Sequence, residues 1–331
     1  MNINEIAKLA GVSRATVSRY LNDGYVSQEK REKISKVIEE TGYEPSAQAQ
    51  MLRSRKTKLI GVIIPKINSE SISRMVAGIG EVLAESDYQM ILADTFNDEE
   101  KELKYLNVFR ENRVDGVILI GTIFTEQHKK LLREFKVPLV ILGQSLDGYS
   151  CVYHDDRSAA RDVTRLMMDR LNDQKKIGKA AYIGVTKRDQ AAGQARYDGF
   201  CDAVTACGIT MDRVVEAECG FSFEHGYNTM QRLLRDHEDI EAVFCATDSI
   251  ALGAMTAARD QGYRIPEQIM FVGIGDSNMG YAVSPKLTTV HFHYKTAGIE
   301  AAQLLMQKII DETDITKSLK MGYQLIENGT V

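Results

Sequence analysis

The sequence predicts an α/β protein in which a small all-α head precedes a body of two doubly wound parallel-sheet subdomains. Three observations lead there. From residue 59 onward, short apolar runs ("LIGVII", "YQMILAD", "VDGVILIG", "VPLVILG") alternate with helical patterns, the signature of buried parallel strands covered by helices. The alternation resumes with "KAAYIGV", "IEAVFCAT" and "IMFVGIG", so the body divides into two βα blocks, roughly 59–150 and 155–280. Finally, residues 1–58 hold eleven Lys/Arg against seven Asp/Glu, a net +4; the whole chain is −5, which leaves −9 for the other 273 residues. A basic head on an acidic body marks the head as the part that meets a polyanion.

The head reads as three helices. Ile3, Ile6, Ala7 and Ala10 recur at helical spacing over 3–10, and Gly11 breaks the run. Ser13 is a suitable N-cap for a second short helix over 14–21, with Ala15, Val17, Tyr20 and Leu21 as packing candidates. "NDG" marks a turn. Ser27 is expected to cap a third helix over 28–41, whose apolar face is Ile34, Val37 and Ile38 and which Gly42 closes. Lys30 stands where a capping box needs an acid or amide. Beyond Pro45, "SAQAQMLRSRKTK" is one or two helical turns and a basic linker, too short to be helical alone in water. The last elements are a strand in "LTTVHFHY" and a helix over 295–311.

Other classes are excluded or demoted. At 331 residues, 44% apolar and 26% charged, the composition is that of a globular protein of two or three domains. No apolar run approaches the ~20 residues of a membrane span, and without a basic n-region followed by an apolar h-region at the N-terminus no secretion signal is expected. The five scattered cysteines form no CxxC, so reduced, mostly buried thiols and a cytoplasmic setting are expected. His291 and His293 alternate on one strand face, but no Cys or acid cluster accompanies them, so no metal or cofactor is expected. "VGIGDSNMG" is neither a dinucleotide loop nor a P-loop, and no G-x-S-x-G or H-E-x-x-H occurs. A sugar-metabolising enzyme and a solute-binding receptor with an added helical domain stand as the contrasting readings.

Two groups of residues could carry function. A helix, a tight turn and a second short helix fit the DNA major groove, with the N-terminal residues of the second helix facing base edges. There Arg14 can pair with guanine O6 and N7. Arg19 can reach a base or phosphate, and Ser13, Thr16, Ser18 and Asn22 are short groups suited to either. In the body, open α/β sheets hold ligands beyond the carboxyl ends of their strands. Just after the apolar runs stand Asn68, Ser69, Ser71, Gln144, Arg196, Phe221, Thr247, Asp248 and Asp276. Amides, carboxylates, an arginine and an aromatic ring are what a sugar needs.

"IAKLAGVSRATVSRYLN", followed by "VSQEKREKI" and "TGYEPSAQAQMLRS", resembles the lactose/galactose-repressor (LacI/GalR) family over essentially the whole chain. The resemblance implies a helix-turn-helix head at 1–45 and a hinge helix and linker at 46–58. It also implies a periplasmic-binding-protein-like body: an N-subdomain of 59–153 plus 292–318 and a C-subdomain of 154–291 plus 319–331. It makes Arg14 and Ala15 the operator-choosing positions, Arg19 a guanine contact, and Ala49 to Leu52 part of the hinge helix, with Leu52 the minor-groove wedge. In the body, Arg196 and Phe221 match effector-holding positions and Asp248 an acid of the pocket. Thr247 replaces the usual Asn, Gly275 stands in for the first acid of a pair ending at Asp276, and Gln144 follows a glycine where one member has Asp. "GVIIPKINSES", "FTEQH", "ILGQ", "HDD" and "LTTVHFHYKTAG" look most like sucrose-type and related disaccharide repressors. The implied partners are double-stranded operator DNA, a sugar or sugar-phosphate effector and a second copy of the chain, with a protein co-regulator left open and no membrane. No heptad tail follows "MGYQLIENG", so a homodimer is expected.

Overall fold

A computed structural model of the protein describes residues 1–43, 56–111, 114–173 and 178–331. They fall into two compact units, Met1–Thr57 and Lys58–Val331. The hinge helix, and with it Ala49 and Leu52, lies outside the described residues.

The head is three helices, Ile3–Leu9, Arg14–Tyr20 and Gln28–Thr41, around Ile6, Ala7, Ala10, Val17, Ile34 and Tyr43. The first has a capping box not anticipated from the sequence: the Asn2 side chain accepts from Asn4 N and Glu5 N, and Glu5 accepts from Asn2 N at 2.8 Å. Gly11 takes φ +64°, the left-handed turn that lets the second helix start three residues on, at Arg14. Ser13 caps that helix through Thr16 N. Ser27 sits at the N-cap of the third helix without a side-chain cap bond, which corrects the expectation of a capping serine.

The body has two parallel sheets. In the first, β1 (Leu59–Ile64), β2 (Gln89–Asp94), β3 (Gly116–Leu119), β4 (Leu139–Leu142) and β5 (Ser150–His154) are joined by β11 (Ser318–Met321), in the order 11-5-4-3-1-2. In the second, β6 (Lys179–Gly184), β7 (Val214–Glu218), β8 (Ile240–Cys245) and β9 (Met270–Val272) lie in the order 7-6-8-9. An antiparallel pair, β10 (Thr289–Phe292) and β12 (Tyr323–Ile326), extends the second lobe through a bridge from Thr288 to Val272. β11 stays paired with β5 as far as Met321 and His154. The chain therefore crosses between lobes three times, after 154, 292 and 321: His154 and residues 319–321, expected in the second lobe, belong to the first sheet, and Phe292, expected in the first lobe, pairs in the β10–β12 ladder.

β2 departs from its expected burial. It is an edge strand, and Ile91 and Leu92 are 39% and 37% exposed. In the first lobe the helices Glu70–Ala84 and Tyr294–Asp311 cross closely. A Cβ on Gly78 would stand 2.1 Å from the Lys295 carbonyl oxygen, and one on Gly298 would stand 2.0 Å from that of Met75. Only glycine permits that approach. All five cysteines are free; Cys151 and Cys245 are buried and the other three half-buried, fewer than expected. Among the described residues no helix is long and apolar enough to cross a membrane.

Candidate functional site

In the head, the second helix turns Val17 into the core and leaves Arg14, Ala15 and Arg19 exposed. Ala15 is thus not a packing residue: the inward stripe of so short a helix is narrow, and Val17 occupies it with Tyr20 and Leu21 beside it. Ser13 and Thr16 hydroxyls lie 2.9 Å apart, and Asn22 Nδ2 donates to Ser18 O at 2.6 Å, fixing both ends of the helix. Among the described residues neither arginine has an acidic partner, so both guanidiniums are available to an external anion.

In the body, a cavity of about 170 Å³ lies between the lobes at the carboxyl ends of both sheets. It gathers Ser69, Ser71, Gln144, Arg196, Phe221, Thr247 and Asp248, seven of the nine expected residues. Asn68 is exposed on the loop after β1 and does not line it. Asp276 also lies outside the lining, because its carboxylate is held elsewhere: Oδ2 is 2.7 Å from His291 Nδ1, and Oδ1 accepts from Tyr281 OH at 2.7 Å. That bond also gives His291 an occupation other than a metal.

Arg196 is the fixed centre. It is 7% exposed and starts the helix Arg196–Ala206, which places its side chain under the loops that follow β5 and β8. Nε and Nη2 reach Asp156 Oδ1 at 2.8 and 2.7 Å, and Nη1 donates to Ala246 O at 2.5 Å. Asp248 accepts from Ser277 N at 2.7 Å and from Thr289 Oγ1 at 2.6 Å. Asp189 accepts from Ala191 N and Ala192 N at 3.0 and 2.9 Å. Burial pushes both carboxyls up to about 6, against those hydrogen bonds. Gln144 donates to the carbonyls of Gly121 and Thr122, which leaves its own carbonyl oxygen for a ligand.

Sequence reasoning missed Lys66, His154, Asp156, Asp189 and Tyr294, all of which line the cavity. His154 and Asp156 follow β5, "SCVYH", which is too mixed to read as an apolar run. The signal was the "HDD" behind it. His154 lies against Phe292, with ring centroids 4.6 Å apart and the planes tilted by 32°; its Nε2 has no hydrogen-bond partner among the described residues, and burial first, then Arg196 and His293, pushes its pKa down to about 3. It is a neutral ring at the cavity wall.

Among the described residues, polar contacts join the lobes across the cleft at two places. Arg74 Nη2 donates to Asp276 O at 3.0 Å while Glu70, paired with Arg74, accepts from Asn278 N at 3.2 Å. Arg188 Nη2 pairs with Glu99 Oε2 at 2.8 Å. A wider depression of about 770 Å³ on the second lobe, lined by Asn228, Gln231, Arg232 and Tyr263 among others, contains none of the expected residues.

Two family descriptions match the chain: "Bacterial regulatory proteins, lacI family" over residues 2–46, and "Periplasmic binding proteins and sugar binding domain of LacI family" over residues 57–328. The sucrose operon repressor of Staphylococcus xylosus is 32% identical over 308 residues, 93% of each chain. The solved structure of a transcriptional regulator CelR–cellobiose complex is 28% identical, covers all of both chains and has a TM-score of 0.74. A lac repressor dimer bound to operator and an anti-inducer is alike in fold, with a TM-score of 0.84 at 23% identity over 100% of this chain and 98% of that one. With both family regions matched in order, the exposed arginines and the interlobe cavity have a common context: the chain belongs to the LacI family and is a DNA-binding transcriptional regulator with a sugar-binding domain, not an enzyme.

Proposed function

We propose that the protein is a dimeric repressor of a sugar-utilisation operon, that it binds a near-palindromic operator, and that its effector is sucrose or a related disaccharide, free or phosphorylated. The observation that carries the effector reading is the cavity itself: fixed donors and acceptors on both lobes around the Phe221 ring. A polyol needs such a set, since each hydroxyl must exchange its water bonds for protein ones. Room for a second ring lies next to it. Past Gln144, His154 and Asp156 the cavity adjoins a depression of about 320 Å³ that Tyr153, Asp155 and Lys320 help to line. The sucrose-repressor relative favours the same ligand class.

A twofold protein reads a twofold site. The ligand acts by binding one angle between the lobes better than another, commonly with ~1–3 kcal/mol of coupling. The clasps from Glu70 to Asn278 N, from Arg74 to Asp276 O and between Glu99 and Arg188 hold the angle seen in this structure. Hinge residues 46–58, with Ala49 and Leu52 at the DNA, would carry that change to the heads.

The test is a gel shift on DNA upstream of the protein's own gene, titrated with mono- and disaccharides and their phosphates. Binding is expected to weaken with salt, and one carbohydrate is expected to shift it. Arg14→Ala is expected to lose ~1–3 kcal/mol of operator affinity and to relax preference at one base pair. Uniform weakening across all operator variants, with no change in base preference, would remove Arg14 from base reading. Operator binding that no carbohydrate shifts would refute the effector reading.

A further inference from the structure

Most charges lining the cavity are matched within the protein. Arg196 is paired with Asp156, and Glu70 with Arg74 and Asn278 N. Asp189 and Asp248 are engaged by backbone amides and Thr289. Lys66 is the exception. It follows β1 on the first lobe, it is half-buried, and among the described residues no carboxylate lies within ion-pair distance of its ammonium. The nearby acid is already occupied: Asp94 accepts from Ile67 N and Phe96 N. What Nζ does meet is the face of Phe221 from the other lobe, 4.7 Å from the ring centroid. A ring face is a weak partner for a partly desolvated ammonium, and it is also the face on which a sugar would stack. Burial pushes the Lys66 ammonium's pKa down, the mark of a cation with no anion beside it.

The next turn of chain adds two hydroxyls to the cavity lining. Ser69 holds the N-cap position of the helix Glu70–Ala84 but does not cap it. Its hydroxyl lies 3.0 Å from that of Ser71 instead, and both residues line the cavity. The two hydroxyls, three and five residues beyond the unpaired lysine, line the same cavity as it does.

We propose that the effector is an anionic carbohydrate, a phosphate ester or a sugar acid, whose charged group is received by Lys66 while its ring takes the place of the ammonium on Phe221. Lysine suits this: its four-carbon stem can swing from ring to anion without disturbing either lobe. The inference rests on the reading of the cavity as a sugar site and adds the charge of the ligand.

The test is calorimetric titration of the full chain with matched probes: glucose, glucose 6-phosphate and gluconate; sucrose and sucrose 6-phosphate; and inorganic phosphate alone. In the wild type, at least one charged probe should bind tenfold or more tightly than its neutral parent, with the ester and acid arms showing which anion is read. Lys66→Met should bring that ratio to within about twofold, and Lys66→Arg should keep most of it. Near-UV circular dichroism checks that each variant is folded. A neutral sugar bound as tightly as its charged partner would overturn the charge assignment and leave the sugar site standing. Discrimination that survives Lys66→Met would overturn the role of Lys66. Inorganic phosphate matching the esters would overturn the carbohydrate part. A chain that binds operator but none of these carbohydrates would overturn the sugar reading as well.

Discussion

Arg196→Met is expected to abolish the effector response and to lower the unfolding temperature of the body by roughly 5–15 °C, equivalent to ~3–5 kcal/mol. The size follows from what would be left behind. Asp156 is 5% exposed and has both close contacts of its Oδ1 from this one guanidinium, and the Ala246 carbonyl would lose its donor. An uncompensated buried carboxylate costs far more than the lost contact area. Removing both charges together should therefore restore part of the stability: Asp156→Asn with Arg196→Met is expected to melt above Arg196→Met alone, and a double-mutant cycle would measure the coupling. It should not restore the response, because the cavity would still lack its central donor. Operator affinity in the absence of sugar should stay within about threefold of wild type while the body remains folded, since the grip belongs to the other compact unit. Unaltered melting together with a normal sugar response would mean that the effector binds elsewhere.

Much of this was legible in the sequence because buried parallel strands and short capped helices follow local rules. "LIGVII" and "IEAVFCAT" could be nothing but interior strands, and each ends where the cavity begins. The helix-turn-helix was legible because Gly11 and Ser13 serve turn and cap at the expected positions. Strands β5, β7, β11 and β12 were not, because they are mixed in polarity or lie at edges, and their pairing is decided by distant chain. β11 is held by β5 across more than 160 residues. The same limit applied to the site. Looking behind apolar runs found Arg196 but not its counter-ion Asp156, which stands behind a strand that does not look like one. Asn68 and Asp276 were placed in the cavity by proximity in sequence, but a carboxylate goes where its donors are. Asp276 has Tyr281 and His291.

Glu102→Gln is expected to stabilise the body by ~3 kcal/mol near neutral pH and to remove most of the fall in stability between pH 6.5 and 8. Glu102 is 4% exposed on the helix Glu99–Glu111, and its Oε1 lies 3.4 Å from Nε2 of the fully buried His128. The imidazole does not supply a charge. Burial pushes its own pKa down, and its Nδ1 faces Thr125 Oγ1 at 2.7 Å. Burial first, then repulsion from Glu99, pushes the Glu102 carboxyl up to about 8. The folded state therefore keeps a proton that the unfolded chain releases near the ordinary carboxyl value. The stability tied to that proton is full in acid and is lost progressively as pH rises from there to about 8. Asp189 and Asp248 have the same sign but finish titrating near 6. The lowered pKa values of His128 and His154 act in the opposite sense and below the ordinary histidine range. Between pH 6.5 and 8 the slope therefore belongs chiefly to Glu102. Glutamine keeps the shape and the acceptor oxygen without the proton equilibrium, so denaturant midpoints of the variant should be nearly flat where those of the wild type decline. Parallel midpoint curves for the two proteins would show that Glu102 is ionised inside the fold, stabilised by a proton on His128 that the geometry does not otherwise require.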